Sequence, residues 1–177
     1  MIQHYITILI TFSEKKRSLF FKVISLLLGA FIFLTIIPIG YMAFRNTIPY
    51  YTTLGLPIFI ERTVGVISIV IGVFFLIWSV ITQWYAGKGT PSPLAPTQYL
   101  ITSGPYRLCR NPIQLGALFY YLGIVTLLDC LTMAILITFI GLIIGSSYHK
   151  FIEEKELLIR FGEDYRTYRA KTPFLIP

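Results

Sequence analysis

The chain has 177 residues, of which 55% are hydrophobic and 13% are charged, and its mean hydropathy is +0.73. Soluble domains carry roughly 25% charged residues, so this composition excludes an ordinary soluble domain, a disordered chain, a coiled coil and a disulfide scaffold, and it predicts a membrane protein. The net charge of +7 would suggest nucleic acid in a soluble protein, but in a membrane protein the placement of the basic residues matters more than their number.

Four apolar segments are predicted to be transmembrane helices, because a bilayer core of about 30 Å takes roughly 20 helical residues. They are residues 23–44, 64–85, 113–128 and 130–148, with Pro38 as a predicted kink in the first. The third segment is shorter than the others, and Asp129 alone separates it from the fourth, which predicts a tight helical hairpin. Residues 1–12 are apolar but too short to cross the membrane, and we expect them to form an interfacial helix.

The basic residues indicate how these spans are oriented. Thirteen of the 15 lie before the first span, between the second and third, or after the fourth, and Arg45 and Arg62 lie on the other side. The positive-inside rule therefore predicts that both termini and the loop 86–112 are cytoplasmic. Cys109 and Cys130 would then lie on opposite sides, which excludes a disulfide between them. The predicted fold class is an all-α, multi-pass transmembrane helical bundle, and the absence of a targeting peptide favours the plasma (inner) membrane.

The first concentration of polar residues is the loop 86–112, whose sequence is AGKGTPSPLAPTQYLITSGPYRLCRNP. Its prolines exclude a regular helix and favour a stiff, extended path. Pro112 suits the first turn of the third span, with Asn111 as its N-cap. A helix N-terminus beside arginines is a candidate site for a carboxylate or a phosphate. The alternative is a stiff loop whose basic rim binds lipid headgroups.

The second concentration directly follows the fourth span. The titratable residues that share one stripe of the predicted helix are His149, Glu153, Glu156 and Arg160. Glu154 points about 100° away from this stripe, and Gly162 is the predicted C-cap. An amphipathic interfacial helix is the commoner meaning of such a pattern. It explains the acidic residues poorly, since five of the eight carboxylates lie close to a membrane face that is normally anionic.

Other chemistries lack the residues that they need. His4 and His149 are the only histidines and lie at opposite ends of the chain, which argues against a metal site. Neither a phosphate loop nor a Gly-x-Gly-x-x-Gly motif is present, which argues against a soluble Rossmann domain. Gly141 and Gly145 form a small-xxx-small pair, which predicts close helix packing.

The two polar regions also carry a resemblance to a known family. It rests on the segments GKGTP, LITSGPYRLCRNPIQLG and EEKELLIRFGEDYRTYRAKTPFLIP, which resemble in order and spacing the isoprenylcysteine carboxyl methyltransferase family and its phospholipid methyltransferase relatives. The match covers residues 86–177. Within one integrated domain we therefore distinguish residues 1–85, with the interfacial helix and spans one and two, from residues 86–177, with a cofactor-binding loop, spans three and four and a cytoplasmic C-terminal helix.

The resemblance implies a membrane enzyme that binds S-adenosylmethionine without a Rossmann domain and methylates a carboxylate, or an amine, of a lipophilic substrate that enters from the membrane. Carried over by position, the cofactor-binding residues are Gln98, Tyr99, Leu100, Ile101, Tyr106, Asn111, Pro112, Ile113, Gln114 and Glu153. The substrate-binding or catalytic residues are His149, Arg110 and Glu154. The expected partners are the substrate and membrane lipids, with no nucleic acid and no metal. A phospholipid N-methyltransferase, an NADPH-dependent membrane reductase and a non-catalytic lipid-binding module are the alternatives.

Two positions depart from the family pattern. Gln114 stands where the family usually has a tyrosine, so an amide that donates and accepts hydrogen bonds replaces an aromatic wall. His149 stands where the family commonly has an arginine, so a titratable imidazole replaces a stronger clamp for a carboxylate. Because both changes touch the binding pockets, the identity of the acceptor does not carry over.

Overall fold

The computed structural model describes residues 2–15, 17–47 and 53–176, and every regular element in these ranges is helical. The helices, in chain order, are α1 (Ile2–Glu14), α2 (Leu19–Phe31), α3 (Ile37–Phe44), α4 (Ile58–Tyr85), α5 (Pro112–Leu128), α6 (Leu131–Tyr148) and α7 (Glu154–Lys171). A π turn, Ile32–Ile36, joins α2 to α3, and a second, His149–Glu153, joins α6 to α7. Short 3₁₀ turns lie at Arg45–Thr47 and Gly104–Arg107. The predicted all-α class is confirmed.

Among the described residues, three helical stretches are long and apolar enough to cross a membrane, and a fourth helix is apolar but shorter. The long stretches are Leu19–Ala43, Ile58–Tyr85 and Leu131–Lys171, and in the last of these the apolar residues belong to α6. The shorter helix is α5, with 17 residues, which turns at Asp129 into α6 and forms the predicted hairpin. The protein is therefore an integral membrane helical bundle, and the strongly charged α7 extends beyond its apolar part.

The predicted kink at Pro38 takes the form of the first π turn. Proline has no N–H to donate and its ring crowds the preceding turn, so a regular α-helix cannot run through it unchanged. Residues Ile32–Ile36 widen into the π turn directly before α3, in which Pro38 is the second residue. The widened turn thus accommodates the proline without ending the span.

Glycines bring α4 and α5 into backbone contact. A Cβ added to Gly72 would lie 2.4 Å from the Tyr120 backbone nitrogen, and one added to Gly123 would lie 2.5 Å from the Gly65 carbonyl oxygen. Such distances leave no room for a side chain, and small residues of this kind let membrane helices pack closely. The α4–α5 pair therefore positions the start of α5 against the end of α4, where the polar residues lie.

The close packing predicted at the small-xxx-small pair of α6 is wrong at Gly141, and at Gly145 the close neighbour is a side chain rather than a helix backbone. At Gly141 the nearest atom to an added Cβ would be Leu118 Cδ2, at an ordinary 3.7 Å. At Gly145 an added Cβ would lie 2.8 Å from Gln114 Nε2, so this glycine makes room for a polar side chain of α5 rather than for a helix backbone. The spacing of the two glycines does not distinguish a contact between helix backbones from a space that a side chain fills.

The polar end of the bundle is held together by the C-terminal residues. Gly162, the predicted C-cap, has the positive φ of such a residue (+52°), but the helix resumes after it and continues to Lys171. The following residues fold back onto the loop, where the Arg110 backbone N–H donates to the Pro173 carbonyl at 2.9 Å. On the other side, α1 packs against α7 and the second π turn, and its Leu9 is buried. The helix predicted for residues 1–12 is thus present and lies against the polar end of the bundle.

Candidate functional site

Two adjoining cavities lie between the end of α4, the loop before α5, the second π turn and α7. Their volumes are about 60 Å³ for the first cavity and about 160 Å³ for the second. The residues that line both are Gln83, Thr97, Tyr106, Arg110, Asn111, His149, Glu153 and Leu157. The first cavity extends toward Tyr165 and Tyr168, and the second extends toward Ile113 and Gln114. The loop and the C-terminal helix, which carry the two polar concentrations, therefore meet around one continuous space.

Twelve of the thirteen residues named from the family resemblance line these cavities. The exception is Gln98, which lines neither cavity, and whose backbone N–H donates to the Gly87 carbonyl at 2.7 Å. Its neighbours Tyr99 and Leu100 do face the first cavity. The structure brings the other twelve together, and their roles toward a ligand stay predictions.

Arg110 and Glu154 form a largely buried ion pair at the first cavity. The distance from Arg110 Nη1 to Glu154 Oε1 is 2.6 Å, and the two side chains are 13% and 14% exposed. Arg169 approaches the second oxygen of Glu154 at 3.6 Å, and the Arg110 guanidinium lies over the ring of Phe174. Arg110 is therefore paired and oriented by its neighbours, and this pairing orders the wall of the cavity.

His149 and Glu153 form the second pair, on the wall that the two cavities share. The Nδ1 atom of His149 contacts Oε2 of Glu153 across the π turn, as their i,i+4 spacing predicted. A π turn places more residues on one side of a helix than a regular turn does, and such turns are frequent at functional sites. Here the turn lets an imidazole and a carboxylate face the same space, while Glu154 reaches the Arg110 side.

Tyr106 is the aromatic residue at the centre of the site. Its hydroxyl accepts a hydrogen bond from Gln83 Nε2 at 2.7 Å, and its carbonyl accepts one from the Tyr168 hydroxyl at 2.6 Å. Burial, and then the negative charge of Glu153, hold the pKa of Tyr106 above its ordinary value. The phenol therefore stays protonated, and its hydroxyl hydrogen remains available to a hydrogen-bond acceptor.

A third pair, Glu156–Arg160, connects α7 to the loop. Glu156 accepts from Arg160 Nη1 at 2.7 Å, and Arg160 also donates to the Thr97 carbonyl. Burial raises the pKa of Glu156, and the adjacent Arg160 charge offsets part of that effect. Because both side chains are about nine-tenths buried, this pair is built into the wall of the second cavity rather than lying on a solvated helix face.

Two glutamines carry buried acceptors that face this region. Gln83 Oε1 and Gln114 Oε1 have no hydrogen-bond partner within the part of the chain that the structure describes. Asn111 occupies the predicted N-cap position of α5, but its amide nitrogen donates to the Phe174 carbonyl at 2.9 Å instead of its oxygen capping the helix. Buried polar atoms are rarely left unpaired in folded proteins, so an N–H or O–H group of a ligand, or an ordered water, would complete these two acceptors.

Several residues of the site were not anticipated from the sequence. Gln83 is one of the few polar residues near the end of α4, and Tyr165 and Tyr168 follow each other at i,i+3 on α7. The helical spacing of the two tyrosines could have placed them on one face, but their contact with the loop is a tertiary one. Gln83 could not be identified as a site residue from the sequence, because polar residues are common near the ends of transmembrane helices.

Comparison with known proteins agrees with this architecture. The family model described as phospholipid methyltransferase matches residues 60–164, which is more than half of the chain and includes α5, α6 and the start of α7. No curated protein and no solved structure matches the chain at a significant level. The matched family is related to the isoprenylcysteine carboxyl methyltransferases, which confirms the resemblance carried by the loop and the C-terminal helix. The chain belongs to the phospholipid methyltransferase family.

Proposed function

We propose that the protein is an S-adenosylmethionine-dependent methyltransferase that acts on a carboxylate or an amine of a lipophilic molecule. Membership of a methyltransferase family supports the reaction class. The observation that carries the proposal is the pair of polar cavities at one end of an otherwise apolar bundle, with Glu153, Glu154 and Tyr106 on their walls. A membrane anchor or a lipid-binding module has no need of carboxylates enclosed in this way.

The residues fit the chemical groups of the cofactor. S-adenosylmethionine, when bound, supplies a methyl group on a sulfonium cation, which is already an activated leaving group. Carboxylates and tyrosine faces suit such a cation and the adjoining ammonium group. The unpaired oxygen of Gln83 suits an N–H or O–H donor of the ligand. The first cavity, lined by Tyr99, Tyr165 and Glu154, is the part of the site where these features coincide.

The residues of the chain orient the two reacting groups and exclude water from them, and they do not act as strong acid or base catalysts. Methyl transfer needs in-line placement of two groups, and holding them in place reduces the entropic part of the barrier. The Arg110–Glu154 and Glu156–Arg160 pairs fix the two walls before any ligand arrives. His149, on the shared wall, lies where an acceptor group would approach, and the enclosed space limits competition from water.

The orientation and the route of the substrate belong to the same proposal. The excess of basic residues on the side of the cavities supports a cytoplasmic site in a plasma membrane. The second cavity adjoins α5 and α6, which supports entry of a lipophilic acceptor from the membrane. A water-soluble cofactor would reach the first cavity from the cytoplasm.

The direct test measures S-adenosylmethionine binding by the purified protein in lipid nanodiscs, using isothermal titration calorimetry. We expect saturable binding that Glu153→Gln weakens about tenfold, the effect of losing one charge-assisted contact worth about 1.4 kcal/mol. The matched control is Glu163→Gln, because the Glu163 side chain is 76% exposed and pairs only with Arg166 among the described residues. This control should bind like the wild type.

Three outcomes would count against the proposal. Absence of binding in every lipid composition would remove the cofactor assignment. Competition by NADPH but not by S-adenosylhomocysteine would favour a membrane reductase instead. Equal weakening by Glu163→Gln would show that the cavities are not the binding site.

A further inference from the structure

The second cavity differs from the first in reaching into the membrane end of the bundle. Of the two cavities, it is the one lined by residues of α5 and α6, namely Pro112, Ile113 and Gln114 of α5 and Tyr148 of α6. The first cavity is lined by the end of α4 and by residues of the loop, the π turn and α7. A lipophilic molecule that moves between the helices therefore meets the second cavity first.

The Gln114 amide is held in one orientation within this cavity. Its side chain is buried, with a relative exposure of 6%, and Nε2 donates to Ser146 Oγ at 3.1 Å and to the Leu142 carbonyl at 3.4 Å. A backbone carbonyl only accepts hydrogen bonds, so it requires the NH₂ end of the amide to face α6. Gly145 leaves the space that this arrangement needs. The oxygen, at the other end of the planar amide group, must then point away from the α6 atoms that accept from Nε2.

That oxygen, Gln114 Oε1, is buried and has no hydrogen-bond partner among the residues that the structure describes. A buried hydrogen-bond acceptor without a donor destabilises the folded protein. Such an acceptor is therefore expected where a ligand or an ordered water donates a hydrogen bond to it. The second cavity is also lined by donor side chains such as Tyr148 and Asn111, but none of the described residues donates to this oxygen. A donor in the second cavity, from a ligand or from an ordered water, would complete this acceptor.

Resting on the function proposed above, we propose that Gln114 is a specificity-determining residue that selects a lipophilic acceptor with an N–H or O–H donor at its polar end. A carboxylate, which has no donor when ionised, is disfavoured at this position. The structure places the residue on the acceptor side, although the family resemblance assigned it to the cofactor. Leu142, to which it bonds, lies six residues before the end of α6, which is about 9 Å along the helix toward the membrane interior.

The test compares two neutral probes, a long-chain primary alcohol and its methyl ether, which differ in donor capacity and not in charge. Binding is measured in detergent micelles without cofactor, by the quenching of tryptophan fluorescence with brominated forms of both probes. We expect the wild type to bind the alcohol about tenfold more tightly than the ether. Gln114→Met, which keeps the side-chain volume and removes the acceptor, should bind the two equally.

A second variant guards against misfolding. Gln114→Glu keeps an acceptor oxygen and should retain the preference for the alcohol. Equal binding of both probes by the wild type, or an unchanged preference in Gln114→Met, would overturn the inference. Loss of S-adenosylmethionine binding in Gln114→Met would also overturn it, by moving the residue to the cofactor side. If the wild type binds the alcohol selectively but never binds S-adenosylmethionine, the function proposed above fails and the role of Gln114 stands.

Discussion

At the scale of single residues, the acidic side chains near the membrane are distinguished by their partners. Glu156 pairs with Arg160 along its own helix, which the spacing predicted. Glu154 pairs instead with Arg110 of the loop, a contact that no local pattern encodes. The residue types and their periodicity thus identified the titratable groups, whereas the pairing between segments depended on how the loop and α7 pack.

Glu156 leads to a prediction about pH and stability. Its pKa is raised by burial, so the folded state binds the proton more readily than the unfolded chain, whose glutamates titrate near about 4.3. Stability that depends on this group is therefore present at low pH and is lost as the pH rises through the raised pKa of the folded state. As the pH is raised above about 4, the wild type should become less stable relative to Glu156→Gln, as measured by thermal unfolding in detergent.

The exposed Glu163→Gln variant should follow the wild type across the same pH range, since it changes an exposed residue. A gain of wild-type stability relative to Glu156→Gln as the pH rises would mean that attraction to Arg160 outweighs burial. In that case the pKa of Glu156 would be lowered rather than raised.

At the scale of elements, the helices exist where the hydrophobic pattern predicted them, but two of them begin earlier. We expected the second span to start at residue 64, after the charged pair Glu61 and Arg62, whereas α4 begins at Ile58. A carboxylate in the first turn interacts favourably with the helix dipole, so Glu61 is compatible with the helix. Similarly, α2 begins at Leu19 and includes Lys22, whose long side chain extends to donate to the Lys88 carbonyl at 2.5 Å.

The contact between α4 and α5 leads to a second prediction. In Gly72→Ala the added methyl group would meet backbone atoms of α5, which cannot move independently of their helix. We expect a loss of about 2 kcal/mol, within the range for overpacked sites, measured as a lower midpoint of thermal unfolding in detergent. The binding of S-adenosylmethionine should weaken with it, because α4 carries Gln83 and α5 adjoins Asn111.

The matched control is Gly40→Ala, in α3, where an added Cβ has no described atom within 4 Å. It should be neutral or slightly stabilising, because alanine favours a helix by about 1 kcal/mol over glycine. Equal destabilisation by both variants would show that glycine acts through helix flexibility and not through the contact of the two backbones.

At the scale of the whole molecule, the two basic residues on the side away from the cavities have structural roles. Arg45 Nη1 donates to the Leu128 carbonyl at 2.6 Å, and Arg62 Nη1 approaches the Leu127 carbonyl at 3.5 Å. The last carbonyls of a helix have no partner within it, and α5 ends at Leu128. These arginines therefore complete a short helix, which explains why they stand apart from the thirteen that predict the orientation.

The predicted orientation is tested with a membrane-impermeant maleimide on intact cells. Cysteine introduced by Thr53→Cys should react from outside, because residue 53 is exposed on the side away from the cavities. Cysteine introduced by Lys171→Cys, exposed at the end of α7, should react only after lysis. The native Cys109 and Cys130 are buried, so they should contribute little background. The reverse labelling pattern would place the cavities outside the cell.

Composition and helical spacing were enough to predict the membrane class, the helical hairpin, the grouping of charge and the two segments that carry the polar residues. These properties depend on composition and on spacing along one helix, and both are local. The tertiary structure decided that Gln83 joins the site, that Gln98 does not, and that Arg110 is bound to Glu154 and the C-terminal residues. These outcomes depend on how closely the helices approach each other, which Gly72 and Gly123 control, and hydrophobic periodicity alone does not encode that distance.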